Sequence, residues 1–446
     1  MISELCISQT DLAELRERLL GEEVEGCAVL FVSTCTRSDG QVRLLTREIT
    51  FPSVGHYQSR TTIYAQLSPT FVAEISKKAK QASLGLVFVH SHPRMNHAEF
   101  SRIDDKGEDE LARFLRVRGV DGPHGSLLIA AKAVRARQLG KHIEMRVISL
   151  GDRRILEFEP LAQEHSPARE IFDRQVRAFG ASGQAQIESL RVAIVGLGGT
   201  GSIAAQQLAH LGVRRFVLID PDKVEATNLN RVVGSSPSNI GTAKVDVAAN
   251  CLAAIRDDID ARKVGGDVVH SRVARELIDT DLILCCTDSH GSRSVVQQVA
   301  YQYMIPCIDM GSTITQHDGR ITGIFGRVQL LGPGMPCLWC SHLLDPTQVR
   351  RDMANEAERR LDPYIVGGTE PAPSVISLNG TVVSLAVSLV LALVAGVPIP
   401  ARHVIYNAMN STLRSVRGKS VSNCFICSRG GALAWGDRRR LFARED

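Results

Sequence analysis

A glycine-rich turn lies near the middle of the chain, in the segment Val192–Ser202 (VAIVGLGGTGS). The apolar residues before Gly196 predict a buried strand, and a helix should begin at Ser202. A strand, a glycine turn and a helix N-terminus form a cradle for phosphate, because backbone N–H groups face the ligand, the helix dipole favours negative charge and missing Cβ atoms allow close approach. The candidate residues of this cradle are Gly196, Gly198, Gly199 and Gly201. The turn alone fits NAD-binding and ATP-binding proteins alike.

The strand expected after this helix ends in a carboxylate. The apolar segment Arg215–Asp220 places Asp220 about 20 residues beyond the glycines, a spacing that suits hydrogen bonds to ribose hydroxyls. The polar segment 222–231 (DKVEATNLNR) follows, for which a dehydrogenase has no need. An NAD(P)-dependent oxidoreductase with an appended hydrolase stays open as the alternative of another class.

The order of the motifs resembles one family of activating enzymes. GxGGxGS is followed by DxDxVExxNLNR, by Lys244 and by CTDSHGSR, and over roughly Arg169 to Cys427 this order resembles the ThiF/MoeB/HesA and ubiquitin-activating enzyme family. The resemblance implies a doubly wound, Rossmann-like domain that uses ATP to adenylate the C-terminal carboxylate of a ubiquitin-like or sulfur-carrier protein. The segment 172–175 (FDRQ) resembles the start of that domain, where Arg174 would reach the partner's nucleotide in a homodimer.

Adenylation requires that the triphosphate be held, that its charge be offset, and that a carboxylate meet the α-phosphorus in line with the departing pyrophosphate. We expect Asp220 to hold the ribose, Lys244 to supply a mobile positive charge and Asp288 to bind Mg²⁺. The residues expected to act in this reaction are Arg174, Asn228, Arg231, Lys244 and Asp288, with Asn228 and Arg231 on the phosphates.

A second group of chemically capable residues lies in the first third of the chain, where His90-Ser91-His92-Pro93 precedes Ser101. Histidines at i and i+2 at the end of a strand face the same side. A carboxylate brought back by the next turn would complete a three-ligand site that leaves zinc an open position for water. A nearby glutamate would then take the proton from that water.

An upstream Glu, HxHP and then SxxD resemble the JAMM (JAB/MPN) metalloprotease family, which cuts isopeptide bonds after ubiquitin-like C-termini. The resemblance implies a catalytic Zn²⁺ held by His90, His92 and Asp104, with Glu25 as the base and Ser101 as a further catalytic residue.

Three points of this assignment stay open in the sequence. The eight residues between His92 and Ser101 are one more than is usual in that family, so Asp105 is an alternative ligand. Glu22 and Glu23 are alternative bases, and His97 is a rival ligand. A zinc-free relic, in which the histidines are ordinary polar loop residues, is the alternative to a working site.

Two CxxC pairs, Cys337–Cys340 and Cys424–Cys427, predict a structural Cys₄ zinc site, and the resembled family has the same pairing. A redox pair is the lesser alternative. The segment between Cys340 and Cys424 has no cysteine, although many relatives carry a reactive thiol there. We therefore expect the adenylate to be the end product.

Composition limits the function classes. The 446 residues, 44% hydrophobic and 22% charged, indicate a globular chain of two or more domains. A net charge of +4 makes no strong case for nucleic acid or a membrane surface. The first residues do not resemble a signal peptide, and the cysteine usage favours the cytoplasm. The apolar stretch Thr381–Val397 predicts a buried helix.

The expected elements change character along the chain. Short strands and two amphipathic helices predict an α+β domain over residues 1–150, and βαβ alternation from about Leu190 predicts an α/β domain. We place a linker at 151–168 and the second domain at 169–446. The elements predicted for the first domain are strands 27–33, 41–46, 84–90 and 126–131 and helices 70–81 and 108–118.

Together these patterns predict a fusion of two opposed activities on one C-terminus. One domain would activate a ubiquitin-like or sulfur carrier ending in Gly-Gly, and the other would trim its precursor or remove it from targets. Further expected partners are a conjugating enzyme or a sulfurtransferase. Sulfur transfer in thiamine, molybdopterin or cysteine synthesis is the alternative within this class, and a non-catalytic scaffold is a third.

Overall fold

The computed structural model describes residues 2–160, 170–354 and 373–445, which divide into two compact units. The first unit consists of Met1–Glu164, Gln302–Met304 and Arg429–Arg440. The second consists of His165–Tyr301, Ile305–Ser428 and Leu441–Asp446.

The first unit is an α+β fold, as its sequence predicts. Its helices are α1 (Gln9–Leu20), α2 (Pro69–Ala82) and α3 (Arg102–Val117). Its strands are β1 (Ile2–Ser8), β2 (Cys27–Thr36), β3 (Val42–Thr50), β4 (Tyr57–Arg60), β5 (Ala65–Leu67), β6 (Gly85–His92), β7 (Gly125–Ala130), β8 (Val134–Gln138), β9 (Glu144–Leu150) and β10 (Arg154–Phe158).

An eight-stranded sheet in the order β1-β3-β2-β6-β7-β8-β9-β10 organises this unit, with an additional pairing of β1 and β9. The sheet is covered on both faces: α1 contributes to one apolar cluster, and α2 and α3 to another. Strand β6 lies between β2, to which it is antiparallel, and β7, to which it is parallel. The end of β6, which carries His90 and His92, is therefore fixed from both sides.

The first unit departs from the expected boundaries in several places. Helix α3 begins at Arg102, six residues before its predicted start, because the capping box at Ser101 begins it. Strands β2 and β3 continue to Thr36 and Thr50, beyond their predicted ends. Arg154–Phe158 forms β10 antiparallel to β9, so the sheet continues into the segment predicted as a linker. This strand is only partly buried along its length and mixes charged with apolar residues. Its sequence therefore lacks the clear apolar pattern that would predict a strand. Residues 429–440, expected in the second domain, belong to the first unit. Residues 161–169 of the predicted linker lie outside the described residues.

The second unit is the doubly wound α/β domain that the motifs imply. Its helices are α4 (Asp173–Ser189), α5 (Gly199–Leu211), α6 (Lys244–Ile255), α7 (Ser271–Arg275), α8 (His290–Gln302), α9 (Pro346–Met353) and α10 (Ile376–Val390). Its strands are β11 (Arg191–Val195), β12 (Arg215–Ile219), β13 (Asp260–Val264), β14 (Leu282–Cys285), β15 (Cys307–His317), β16 (Arg320–Leu331), β17 (His403–Asn407) and β18 (Thr412–Ser415).

The strands of this sheet lie in the order β13-β12-β11-β14-β15-β16-β17-β18. Strands β12 and β13 therefore lie on one side of β11, and the later strands lie on its other side. The five strands β13, β12, β11, β14 and β15 are parallel. Strands β16, β17 and β18 then pair antiparallel. The chain moves outward from β11 through β12, then returns to its other side with β14. In open α/β sheets ligands bind beyond the carboxyl ends of the strands at such a switch point, so the turns after β11 and β14 are the expected ligand site.

The apolar segment predicted as a buried helix is α10, which continues as one π-helical stretch over Leu391–Ala395. Its side chains join the main apolar cluster of the unit, together with those of β11 and α5. Within the described residues, Ile376–Ala395 is long and apolar enough to cross a membrane by length and composition alone. However, 61% of an apolar 18-residue stretch of this helix is buried in the fold.

Residues 429–440 pack on strands β2 and β3 within the first unit. Ser33 Oγ donates to Ala434 O at 2.6 Å, and the Arg47 guanidinium lies 3.7 Å from the centre of the Trp435 ring. Gly436 has a φ of +50°, and a Cβ at that position would lie 2.0 Å from Thr34 O. Only glycine therefore permits this approach of the segment to β2.

We expect Gly436→Ala to lower the free energy of unfolding of the first unit by more than the roughly 1–2 kcal/mol of left-handed strain alone, because the new methyl group meets backbone. Gly40→Ala is the matched control, since Gly40 also has positive φ but open space around its Cβ position. Urea denaturation followed by Trp435 fluorescence, in a Trp339→Phe background, measures both. Equal losses in the two variants would contradict the described packing of residues 429–440.

Candidate active sites

The glycines after β11 have separate tasks. Gly196 has a φ of +88°, and a Cβ on Gly201 would lie 1.8 Å from Gly196 O, so both residues are required for the tight turn. A Cβ on Gly198 would meet nothing within 4 Å, which leaves its backbone open to a ligand. Helix α5 begins at Gly199, three residues before the predicted start at Ser202, because the turn itself supplies the first helical residues.

Asp220 is fixed by backbone donors directly beside this turn. Its Oδ2 accepts from Leu197 N at 2.6 Å and its Oδ1 from Asp222 N at 2.8 Å. Burial raises the pKa of this carboxyl, and the charge of Lys244 opposes the shift. Each oxygen retains a second lone pair, so Asp220 is oriented and still able to accept from a ribose hydroxyl.

Lys244 is the first residue of α6, and its side chain reaches towards Asp220. Its Nζ donates to Asp222 Oδ2 at 2.8 Å and lies 3.8 Å from Asp220 Oδ1. Asp222 thus holds the ammonium group next to the turn. A triphosphate placed on the cradle could compete for this ammonium group.

Asn228 and Arg231 lie in the polar segment after β12. The side chain of Asn228 is buried and accepts from Glu225 N at 3.2 Å, as the third residue of a capping box. Arg231 Nη1 donates to Thr227 O at 2.6 Å, and its Cδ lies 3.4 Å from the Cβ position of Gly199. Arg231 is therefore beside the phosphate cradle, whereas Asn228 shapes the segment that carries Arg231.

Asp288 follows β14, so it stands at the other strand end of the switch point, and it is exposed. Arg293, in the first turns of α8, donates through Nη1 to both oxygens of Asp309 at 2.7 and 2.8 Å. Asp309 is fully buried and also pairs with Arg327. Although burial opposes it, these two guanidinium groups hold the pKa of Asp309 low. Arg293 thus anchors the helix that follows Asp288.

Arg174 lies at the start of α4 and is exposed. Helix α4 is interrupted at Phe179 and Gly180, where Gly180 has a φ of +80°. The neighbouring Gln184 donates to Leu211 O at 3.0 Å, which fixes α4 to the end of α5. Within the described contacts of this single chain, Arg174 is not brought to the glycine turn.

Sequence reasoning missed Asn379, which contacts the cradle from α10. Only 1% of this side chain is exposed, and its Nδ2 would lie 2.3 Å from a Cβ on Gly199. Gly199 must therefore be glycine because Asn379 occupies the space of a side chain. A polar amide at the start of the largely apolar segment LNGTVVSLAV was the only signal in the sequence.

The first unit brings together the residues predicted for its metal site. The ligand atoms of His90, His92 and Asp104 all lie within 4.8 Å of one another. His90 Nε2 is 3.2 Å from Asp104 Oδ1, and both His90 Nε2 and His92 Nδ1 are buried without a hydrogen-bond partner. A cation at this position would satisfy the orphaned Nε2 of His90, and two imidazoles and a carboxylate fit the donor set of an open zinc site.

A helix cap determines which carboxylate faces the histidines. Ser101 is the N-cap of α3: its Oγ accepts from Asp104 N at 3.2 Å, and its N donates to Asp104 Oδ2 at 2.6 Å. This capping box holds Asp104 at the metal position despite the longer loop before it. Asp105 turns instead to Arg137, with which it pairs at 2.8 Å.

The alternative residues of this site point elsewhere. Glu22 pairs with Arg60 at 2.9 Å and Glu23 with Arg94 at 2.7 Å, whereas Glu25 Oε1 is 3.5 Å from His92 Nε2. His97 is exposed and is not among the grouped ligand atoms. Of the three glutamates, Glu25 is therefore the one that lies beside the histidines.

Glu25 and the ligands open onto a cavity of about 580 Å³. Burial raises the pKa of Glu25 to about 7, and the charge of His90 opposes this shift. Burial also lowers the pKa of His92, which favours the neutral imidazole that binds metal. Apolar side chains line the cavity beyond the ligands, among them Ile63, Leu67, Val72, Phe88 and Phe114.

The two CxxC pairs form a third cluster, in the second unit. The Sγ atoms of Cys337 and Cys424 are 3.5 Å apart, and those of Cys340 and Cys427 are 3.6 Å apart. Tetrahedral zinc with Zn–S bonds of about 2.3 Å requires sulfurs about 3.8 Å apart, close to this spacing. The backbone N–H groups of Val421 and Ile426 also donate to the sulfurs of Cys340 and Cys424, as hydrogen-bond donors around metal-binding thiolates commonly do.

The thiols outside this cluster are poor nucleophiles in the described conformation. Burial raises the pKa of Cys6, Cys27, Cys35 and Cys286 to about 12. Cys286 is the thiol adjacent to the glycine turn, and its carbonyl accepts from Thr200 Oγ1 at 3.3 Å. A thiolate, the reactive form, is strongly disfavoured at these positions.

Comparisons with known proteins found relatives and solved structures that are similar to this chain. The chain is 28% identical over 254 residues to the SAMP-activating enzyme E1 of Haloferax volcanii, a match that covers 56% of this chain and 85% of that protein. It is 29% identical over 260 residues to the molybdopterin-synthase adenylyltransferase of Escherichia coli, covering 57% and 95%. A crystal structure of Escherichia coli MccB with succinimide aligns with a TM-score of 0.48 and 17% identity over 59% of this chain and 76% of that one.

The family model described as "ThiF family" matches residues 172–425, more than half of the chain. The matched span runs from the residue before α4 to the residue after Cys424, so it contains the glycine turn, both strand ends of the switch point and three of the four clustered cysteines. This chain therefore belongs to the ThiF family.

Proposed function

We propose that the second unit adenylates the C-terminal carboxylate of a ubiquitin-like or sulfur-carrier protein with ATP. The observation that carries this proposal is the convergence of the cradle, Asp220, Lys244 and Asp288 on one end of the sheet, at its switch point. The curated relatives, a SAMP-activating enzyme and a molybdopterin-synthase adenylyltransferase, support the same reaction class.

Each residue has a task that follows from its position. The open backbone at Gly198 and the start of α5 receive phosphate oxygens, and Asp220 accepts from the ribose. Lys244 and Arg231 offset charge on the phosphates as pyrophosphate departs. Asp288, exposed at the second strand end, is the carboxylate that would hold Mg²⁺, whose chemistry is to screen the charge of the triphosphate.

The same arrangement makes the oxidoreductase alternative less favourable. An NAD-binding turn needs the glycines and Asp220 but has no use for Lys244 and Arg231 beside them. We keep sulfur transfer as the second candidate pathway, because a relative from Drosophila ananassae is named an adenylyltransferase and sulfurtransferase. A small carrier that ends in Gly-Gly is the proposed partner in either pathway, with a conjugating enzyme or a sulfurtransferase as the next.

For the first unit we propose a zinc-dependent peptidase that acts on the same carrier C-terminus. His90, His92 and Asp104 would hold the ion, which supplies an activated water when bound. Glu25, 3.5 Å from His92 Nε2, would take the proton from that water and pass it to the leaving amine. Ser101 supports the site as the cap that orients Asp104.

Two further features belong to this proposal. The raised thiol pKa values, and the absence of cysteine from Ser341–Asn423, support release of the adenylate without an enzyme thioester. The exposure of Arg174 supports a homodimer in which this residue serves the partner's nucleotide, and we propose that the dimer is cytoplasmic. Restored pyrophosphate exchange on mixing Arg174→Ala with Lys244→Ala chains would support that dimer, and failure of exchanging subunits to restore it would contradict it.

We expect Asp288→Ala to abolish carrier-dependent ATP–pyrophosphate exchange without loss of folding, since Asp288 is exposed and lies outside the core. Asp246→Asn is the matched control, because Asp246 pairs with Lys263 on the surface. Non-reducing gels of the same reactions should show no enzyme–carrier thioester. Normal exchange in Asp288→Ala would refute the adenylation site.

We expect the purified chain to hold about two zinc ions, one at each cluster. His92→Ala should remove one and leave the other, because the clusters share no ligand. Elemental analysis against protein concentration measures the ratio. One zinc in the wild type that is unchanged in His92→Ala would mean that the histidine site binds none.

Glu25→Gln should reduce cleavage of a carrier precursor with a C-terminal extension by about 10²-fold or more, because an amide cannot take up the proton. The zinc content should remain that of the wild type, since Glu25 is not proposed as a ligand. Cleavage is followed by mass spectrometry of the released peptide, with Glu23→Gln as the control. Full cleavage by Glu25→Gln would place the base elsewhere.

A further inference from the structure

A single buried amide, that of Asn379, joins three elements at the phosphate cradle. Its Oδ1 accepts from Ser312 Oγ on β15 at 2.9 Å, and its Nδ2 donates to Ser374 Oγ, just before α10, at 3.0 Å. The same Nδ2 lies against Gly199, the first residue of α5. All four residues lie in the second unit.

This contact places two helix starts side by side. Asn379 is in the first turn of α10, where its N–H makes the hydrogen bond to Val375 O at 3.1 Å that begins the helix. Gly199 is in the first turn of α5. The positive ends of two helix dipoles therefore meet at one amide, beside the backbone that is open at Gly198.

The position of Asn379 requires an uncharged side chain. An amide satisfies both a hydroxyl donor and a hydroxyl acceptor without adding charge next to a site for a triphosphate. A carboxylate of the same shape would keep the bond from Ser312 and would suit two helix N-termini in the empty protein. It would, however, repel phosphate.

We infer that Asn379 is a positioning residue that sets the place and the electrostatic potential of the cradle through Gly199. This inference rests on the proposed binding of ATP but not on the identity of the carrier. It adds a determinant from α10 that lies outside the motifs around the glycine turn. It also explains why Gly199 has no side chain.

The test compares Asn379→Asp with Gln207→Glu in the full-length chain. Gln207 also ties α5 to α10, through Nε2 to Ser384 Oγ at 3.1 Å, but it is eight residues beyond Gly199, about 12 Å along the helix at 1.5 Å per residue. Both changes convert an amide between the same helices to a carboxylate. They differ in distance from the cradle.

Dissociation constants for adenosine, AMP, ADP and ATP are measured by calorimetry at two salt concentrations. Asn379→Asp should weaken ATP binding about tenfold, with a loss that grows with the number of phosphates and shrinks at high salt. Gln207→Glu should change ATP affinity less than about twofold, since exposed charges beyond a Debye length are largely screened. Ser312→Ala, which frees the amide, should weaken ATP binding by a smaller factor without the salt dependence.

An equal loss for adenosine and ATP in Asn379→Asp, or an equal effect of Gln207→Glu, would reduce Asn379 to a packing residue and overturn the inference. A wild-type chain that binds no ATP would overturn the inference together with the proposed function. A wild-type chain that binds ATP but shows no exchange with any carrier would contradict the adenylation proposal alone. The dissociation constants would still measure how a charge at residue 379 changes nucleotide binding.

Discussion

The approach of Gly201 to Gly196 is the constraint on which the second unit depends. A Cβ at 201 would lie 1.8 Å from Gly196 O, so the chain can reverse after β11 only with glycine at that position. The reversal brings Leu197 N to Asp220 at the end of the neighbouring strand, and it starts α5 with open N–H groups. The phosphate cradle and the ribose acceptor are thus consequences of one turn.

A carboxylate held by backbone N–H groups recurs in the first unit. Asp104 is fixed by Ser101 N at 2.6 Å, as Asp220 is by Leu197 N at the same distance. In both cases the donor belongs to a turn next to a helix start, and its direction is independent of flexible side chains. Such carboxylates are pre-organised, so binding a sugar or a metal ion requires little further ordering.

The residues with backbone partners are also those that the sequence predicts best. The glycine turn, Asp220 and the HxH pair are local patterns, and the strands that hold them lie close to their expected bounds. Helix α3, in contrast, begins six residues before its predicted start, and its cap at Ser101 was not predicted. The motif order added Lys244 and Asp288. Choosing Asp104 over Asp105, or Glu25 over Glu22 and Glu23, required the direction of each side chain, because neighbours in sequence differ only in the face they present.

The sequence did not predict which distant segments of the chain are in contact. Asn379 is 180 residues from Gly199, and Trp435 is 388 residues from Arg47, so no window of periodicity includes either pair. Each contact nevertheless depends on a glycine. Gly199 makes room for the amide, and Gly436 permits the segment that carries Trp435 to approach β2. A glycine can therefore mark where another part of the chain must come close. At Gly199 that other part is the start of α10, which makes the second helix dipole part of the electrostatics of the cradle.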